Sequence, residues 1–150
     1  MWKHSDNRVD SNMRKTILII ATSMISAVVL FAQANAVTTK TGLKYVDMKV
    51  GTGDEAVAGV MVEVNYSGWF YVDGKRGKLF DKGTFKLTVG NHDVIPGWDE
   101  GIQGMNVGGK RELFIPPDLA YGPDGFKDII PPNSPLDFEV ELLKVSKPNP

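Results

Sequence analysis

From Val60 to Tyr66 apolar and polar residues alternate, with Val60, Val62, Val64 and Tyr66 on one face and Met61, Glu63 and Asn65 on the other. A period of two sustained over this length predicts a strand with one buried face. The same period returns in Phe85, Leu87 and Val89, and again in Leu136, Phe138, Val140 and Leu142. Shorter runs at Leu43–Val50 and Arg111–Ile115 also read as strands. The breaks between them have turn chemistry: glycines and acids at 51–59, Asp73-Gly74 at the tightest point of 71–78, and Asn106–Lys110. Residues 116–135 form a long loop rich in proline and glycine.

Only Pro96-Gly97-Trp98-Asp99-Glu100 reads as the start of a helix. Proline suits the first turn, and acids there complement the helix dipole. Glycine beside tryptophan makes a weak helix, so the large ring needs another reason to be there. The pattern as a whole predicts an α+β domain: a curved antiparallel sheet whose apolar face needs a cover. The helix around Trp98 is the only candidate for that cover, which points Trp98 into the concave face.

The N-terminus follows a different pattern. After Arg14-Lys15 an apolar run extends from Ile17 to about Phe31, followed by Gln33 and the small-x-small group Ala34-Asn35-Ala36. A basic flank, a short apolar stretch and that ending are the features of a secretory signal peptide cleaved after Ala36. An uncleaved membrane anchor is the rival reading, although the run is short for a full span. Met13-Arg14-Lys15 makes a more typical leader start than Met1. The expected organisation is therefore a leader at 1–36, a polar lead-in at 37–43 that is frayed or extended, one domain at 44–146 and a tail at 147–150.

Without residues 1–36 the chain keeps 13 basic and 16 acidic residues, a net charge of −3. No basic block interleaved with aromatics follows residue 36, which argues against nucleic acid as a partner. Cysteine is absent throughout, so disulfides, thiolate metal sites and a lipid-modified cysteine anchor are excluded. With 16 glycines and 9 prolines in no repeating period, the composition is that of a turn-rich globular fold.

Familiar catalytic arrangements are missing. His92 stands in a turn without a second histidine, and Ser67, Ser134 and Ser146 have no general base at a suggestive spacing. The G-x-G of Gly51-Thr52-Gly53 is not followed by a helix that would cradle phosphate. Neither a metal nor a cofactor is expected. Among the acids Asp81, directly after Phe80, stands out, and the others read as solvated. What remains is aromatic and apolar: Tyr66, Phe80, Phe85, Trp98, Tyr121, Phe126, Ile129, Ile130 and Phe138. Most fit a core equally well, but Tyr121 lies in a loop, where a bulky phenol ordinarily needs a reason.

The segments VEVNYSGWF, GKLFDKG, VIPGWDEGIQGMNVGGKRELFIPPDLAYG and IIPPNSPLDFEVELLKV resemble the FK506-binding-protein (FKBP) class of peptidyl-prolyl cis/trans isomerases. The likeness runs from about Leu43 to Val145, with the blocks in the expected order. It implies a twisted antiparallel five- to six-stranded half-barrel wrapped around one short helix. It also implies an aromatic cleft for the proline ring of a polypeptide, with Trp98 as the floor and Tyr66, Phe85, Val94, Ile95 and Phe138 as walls. In that arrangement Tyr121 donates to a substrate carbonyl, Phe80 and Asp81 form the pair beside the pocket, and the backbone at Asp93 and Ile95 holds the peptide. Ile129 and Ile130 give the loop its apolar edge, and Phe126 stands at its tip. Macrolides such as rapamycin and tacrolimus are then expected ligands, and a monomer is the expected state.

The chain departs from the family pattern in three places. The loop after Asp81 is short and lacks the base that often pairs with the pocket aspartate. Phe126 replaces a frequent histidine, and the stretch from Gly68 to Phe80 is a few residues longer than in a minimal domain. Three functions compete: an isomerase for exported polypeptides, a chaperone or proline-peptide binding module with little turnover, and a purely structural or inhibitory domain. The retained aromatics favour the first. The leader places it in an exported compartment, with the bacterial periplasm ahead of a Gram-positive exterior or a eukaryotic secretory lumen.

Overall fold

In the computed structural model residues 36–147 are described, and the expected leader lies outside them except for Ala36. Six strands make one antiparallel sheet: β1 Ala36–Thr38, β2 Lys44–Lys49, β3 Met61–Val72, β4 Lys75–Thr88, β5 Lys110–Ile115 and β6 Leu136–Ser146. Their order across the sheet is β1-β2-β5-β6-β3-β4. The alternation read in β3 and β6 is the observed burial pattern: Val62 and Val64, and Leu136, Phe138, Val140 and Leu142, all face the core. Of residues 37–43, expected to be frayed or extended, Val37 and Thr38 are extended and the rest turn toward β2. Val37 pairs with Tyr45 in β1–β2, and Leu43 is fully buried.

The expected half-barrel is not found. The sheet is open, with the three-residue β1 at one end and the fourteen-residue β4 at the other, and these two do not pair. The reason lies in the cover. A helix, α1 (Pro96–Ile102), lies on the apolar face and buries it, so the strands gain no further burial by closing on themselves.

Two glycines explain how so weak a helix holds this place. Gly97 and Gly101 are one turn apart and share a face. A Cβ on Gly97 would stand 2.5 Å from Ile115 Cγ2, and one on Gly101 2.7 Å from Leu113 Cδ2. Their lack of side chains lets α1 lie directly against β5. Each glycine weakens the helix by about 1 kcal/mol relative to alanine, and the burial of Trp98 and Ile102 offsets this. Arg111 closes the far end of α1: its Nη1 donates to the carbonyls of Gly101 at 2.9 Å and Gln103 at 3.3 Å, while Nε binds Asp47 at 2.6 Å. That supplies partners to carbonyls the helix cannot satisfy itself.

The β3–β4 connection is the turn expected at Asp73-Gly74. Both residues have positive φ, 51° and 77°, as a two-residue type I′ hairpin requires. The strand that follows begins earlier than its alternation suggested, at Lys75, because the tight turn sets its register against β3.

Candidate active site

Trp98 sits in the first turn of α1 and is 5% exposed. Three rings meet it edge-on: Tyr66 from β3 at 5.0 Å between centroids, Phe138 from β6 at 5.2 Å and Phe85 from β4 at 6.4 Å. Edge-to-face contacts of this kind add to simple burial and fix ring orientation. Phe80 in turn stands perpendicular to Phe138 at 5.5 Å, at 89°. The helix thus presents an indole, and three strands hold it between other rings.

Above these rings is a cavity of about 210 Å³. Tyr66, Phe80, Asp81, Phe85, Asp93, Val94, Ile95, Trp98, Tyr121 and Phe138 line it, all of them residues singled out from sequence. The loop residues Phe126, Ile129 and Ile130 do not. Ile130 is turned into the core, whereas Phe126 and Ile129 are 41% and 52% exposed beyond the cavity. A tight loop causes this split: the backbones of Phe126 and Ile130 exchange hydrogen bonds at 2.9 and 3.0 Å, so the neighbours point apart. Tyr121 joins the two regions, lining the cavity with its ring 5.0 Å from that of Phe126.

Polar groups in the cavity are few and held in place. The Tyr66 hydroxyl donates to Asp81 Oδ2 at 2.8 Å, and the backbone N–H of Lys82 donates to Oδ1 at 2.9 Å. Asp81 thus has a phenol and its neighbour's amide as partners in place of a basic side chain. Burial, reinforced by the hydrogen bond to Asp81, pushes the Tyr66 phenol up to about 12. Burial, with the nearby Asp81 charge, also raises Tyr121. Both phenols therefore remain protonated donors at neutral pH.

One important acid was not legible. Asp99, read as a solvated residue complementing the helix dipole, is buried beside Trp98. Its carboxylate accepts from the backbone N–H groups of Gly90 at 2.7 Å and His92 at 3.1 Å. It fastens the 90–93 turn to α1, and that turn leads into the cavity wall at Asp93, Val94 and Ile95. The sequence carries no signal for it, since the left-handed turn at His92 (φ 59°) whose N–H it accepts is visible only in the fold.

No serine, cysteine, lysine or histidine lines the cavity. Its volume lies below the ~300–1,000 Å³ usual for drug-sized ligands and suits a group the size of one side chain. Fold and site together describe a class: an α+β domain with a small aromatic cleft whose polar groups are two phenols and two carboxylates.

Comparison with known proteins gives that class its family. Residues 53–143 match the FKBP-type peptidyl-prolyl cis-trans isomerase family. An FK506-binding protein of Neisseria meningitidis serogroup B is 45% identical over 109 residues, covering 69% of this chain and 96% of that protein. A 46 kDa FK506-binding nuclear protein of Spodoptera frugiperda is 48% identical over 108 residues, but the match spans only 26% of its length. Among solved structures, a peptidyl-prolyl cis-trans isomerase from Pseudomonas syringae pv. tomato superposes with a TM-score of 0.66 at 36% identity, covering 75% of this chain and 82% of that one. The chain belongs to the FKBP-type peptidyl-prolyl cis-trans isomerases. It is an isomerase acting on proline-containing polypeptides.

Proposed function

We propose that the cleft over Trp98 is the catalytic centre and that its clients are exported polypeptides. An X-Pro amide resists rotation because of its C–N double-bond character, with a barrier of about 18–20 kcal/mol. Cis lies only about 0.5–1 kcal/mol above trans, so both isomers are populated and the twist is the slow step. As the bond twists, conjugation and charge separation fall. A dry aromatic cleft favours the twisted amide over the planar, well-solvated one, and every ~1.4 kcal/mol of that preference gives tenfold in rate.

In this reading the proline ring rests on Trp98 between Tyr66, Phe85 and Phe138. The Tyr121 hydroxyl donates to a substrate carbonyl, and the Asp93–Ile95 backbone holds the extended peptide. Tyr66 orients Asp81, whose carboxylate faces the rotating bond, and Phe80 closes that wall. The supporting observation is the convergence of six aromatic rings from five segments of the chain on one small cavity. Exposed Phe126 and Ile129 beside it favour an additional hold on unfolded chain, the binding-module activity weighed above. The apolar run at 17–31 with its small-residue ending supports export, and the bacterial periplasm is the compartment we assign. Rapamycin and tacrolimus would occupy the same cleft.

The test is NMR exchange on a short Leu-Pro-Phe peptide, with and without rapamycin, using the purified protein and its Trp98→Leu variant. Rapamycin-sensitive acceleration that weakens in the variant is expected. Full acceleration by Trp98→Leu would move the chemistry elsewhere. Folded wild type that accelerates nothing would leave the binding-module reading, to be tested by suppressed aggregation of a proline-free client.

A further inference from the structure

The stretch from Gly68 to Phe80, which the family resemblance reads as a few residues longer than a minimal domain, forms the end of the β3–β4 hairpin and carries the densest ionic cluster among the described residues. Neighbouring strands lie about 4.8 Å apart, so β4 and β5, three places apart in the sheet, would be separated by roughly 14 Å if it were flat. Yet Arg76 on β4 reaches Glu112 on β5 directly, Nη2 to Oε1 at 2.6 Å. On β6 it binds Asp137, Nε to Oδ2 at 2.7 Å, and approaches Glu139 at 3.5 Å. Two long side chains cover that distance, so the guanidinium lies across the face of the sheet opposite α1, beside the register shifts at Gly68/Trp69 and Trp69/Tyr71. There Trp69 lies under the guanidinium at 4.1 Å, and Tyr71 packs on Phe114 at 5.3 Å.

This contact matters for the cleft because of what adjoins it in sequence. Asp137 directly precedes Phe138, and a few residues beyond Arg76 the strand reaches Phe80, which meets Phe138 edge-on. The ion pair on one face and the ring pair on the other join the same two strands. We propose that Arg76 is a positioning residue for isomerisation, tying β4 to Asp137 and so fixing the Phe80–Asp81 wall of the cleft. The proposal rests on the cleft assignment made above.

Arginine suits this place because its planar fork serves several carboxylates at once, which a lysine ammonium cannot do with the same geometry. Asp137 is fully buried, and its Oδ1 has no donor, so its charge depends on the one guanidinium. The other charged groups facing the cluster are Glu112 and Lys110 from β5 and Glu139 from β6, with Lys110 Nζ 3.0 Å from Glu139. Burial pushes the carboxyls of Glu112 and Asp137 up, and Arg76 pulls both back.

The test compares Arg76→Met, Arg76→Lys and the double variant Arg76→Met/Asp137→Val, which removes both charges and so keeps a folded protein if the lone buried acid is destabilising. Two readouts are used: the ring-current-shifted proton signals of Phe80, and KM and kcat on a proline peptide. Displaced Phe80 signals in both methionine variants, a roughly fivefold rise in KM with kcat little changed, and partial recovery in Arg76→Lys are expected. Native Phe80 signals in the folded double variant would overturn the proposal, since the ring contacts would then hold the wall unaided. Displaced signals with unchanged KM would overturn it too. If the wild type binds no proline peptide, the cleft assignment falls instead, and the Phe80 signals alone decide whether Arg76 sets the wall.

Discussion

The Tyr66 hydroxyl donates to Asp81 across the cleft mouth at 2.8 Å, linking β3 to β4 on the edge where the pocket opens. The phenol is held up at about 12, by burial first and by Asp81 second. Because the folded-state value lies above the ordinary 10.0, the folded protein keeps this proton where the unfolded chain loses it. The resulting stability is fully present below pH ~10 and disappears as pH rises through about 12. Asp81→Asn should lower the Tyr66 value without returning it fully to normal, because burial remains. Phenolate absorbance during an alkaline titration, assigned with Tyr66→Phe, measures both.

Trp98 supports the fold as well as the proposed chemistry. Truncation to alanine removes a buried ring and should destabilise by about 3–5 kcal/mol. Trp98→Leu keeps more of the volume and should remain folded, with kcat/KM reduced at least tenfold, or about 1.4 kcal/mol of transition-state preference. Chemical denaturation beside the peptide exchange assay separates the two effects.

Gly97→Ala and Gly101→Ala reverse the usual rule for helices. Alanine improves helix propensity by about 1 kcal/mol at an open position. Here the new methyl would meet Ile115 or Leu113 at 2.5–2.7 Å, and overpacking of about 1–3 kcal/mol should prevail. Both variants should melt at lower temperature than wild type, as calorimetry would show; a rise would mean that α1 can lift from β5 without loss.

Glu112 and Asp137 should leave an acid-side signature in stability. Burial raises both carboxyls, so the folded state binds more protons than the unfolded chain above the ordinary carboxylate range. This contribution is fully present below the unfolded values and is lost as pH rises through the raised ones. Glu112→Gln should flatten that decline as pH rises above the ordinary carboxylate range, read as urea midpoints against wild type. An identical slope in the variant would exclude the pair as its source.

The strands with unbroken alternation, β3 and β6, were legible because one face of each meets a continuous core. The first half of β4 was not, since Lys75–Lys78 has no alternation and is placed by the Asp73-Gly74 turn. Whether the sheet closed was not legible either: side-chain period reports faces, not which edge strands meet. The residues that line the cavity were named through the family resemblance; excluding other chemistry had only left aromatic side chains that, apart from Tyr121, fitted a core equally well. Asp137 was missed although its outward position in β6 was correctly phased. Arg76 reaches it from β4, a tertiary contact that leaves no local mark. Asp99 was missed because an acid in a first helical turn already has an adequate local explanation. The resemblance placed Ile129 and Ile130 together at the loop's apolar edge, and only the backbone pairing of Phe126 with Ile130 separates the two.

The open end of the sheet bears on turnover. β4 is an edge strand beside the cleft, the place where an extended client would naturally add as a further strand. Were it to do so, a ladder of backbone bonds would hold the client long after its proline had rotated, and release would limit the rate. Lys75, Lys78, Lys82 and Lys86 along that strand oppose such annealing. In the proposed mode the client would then be gripped chiefly at the cleft, through a small contact that lets the same molecule move on to the next chain.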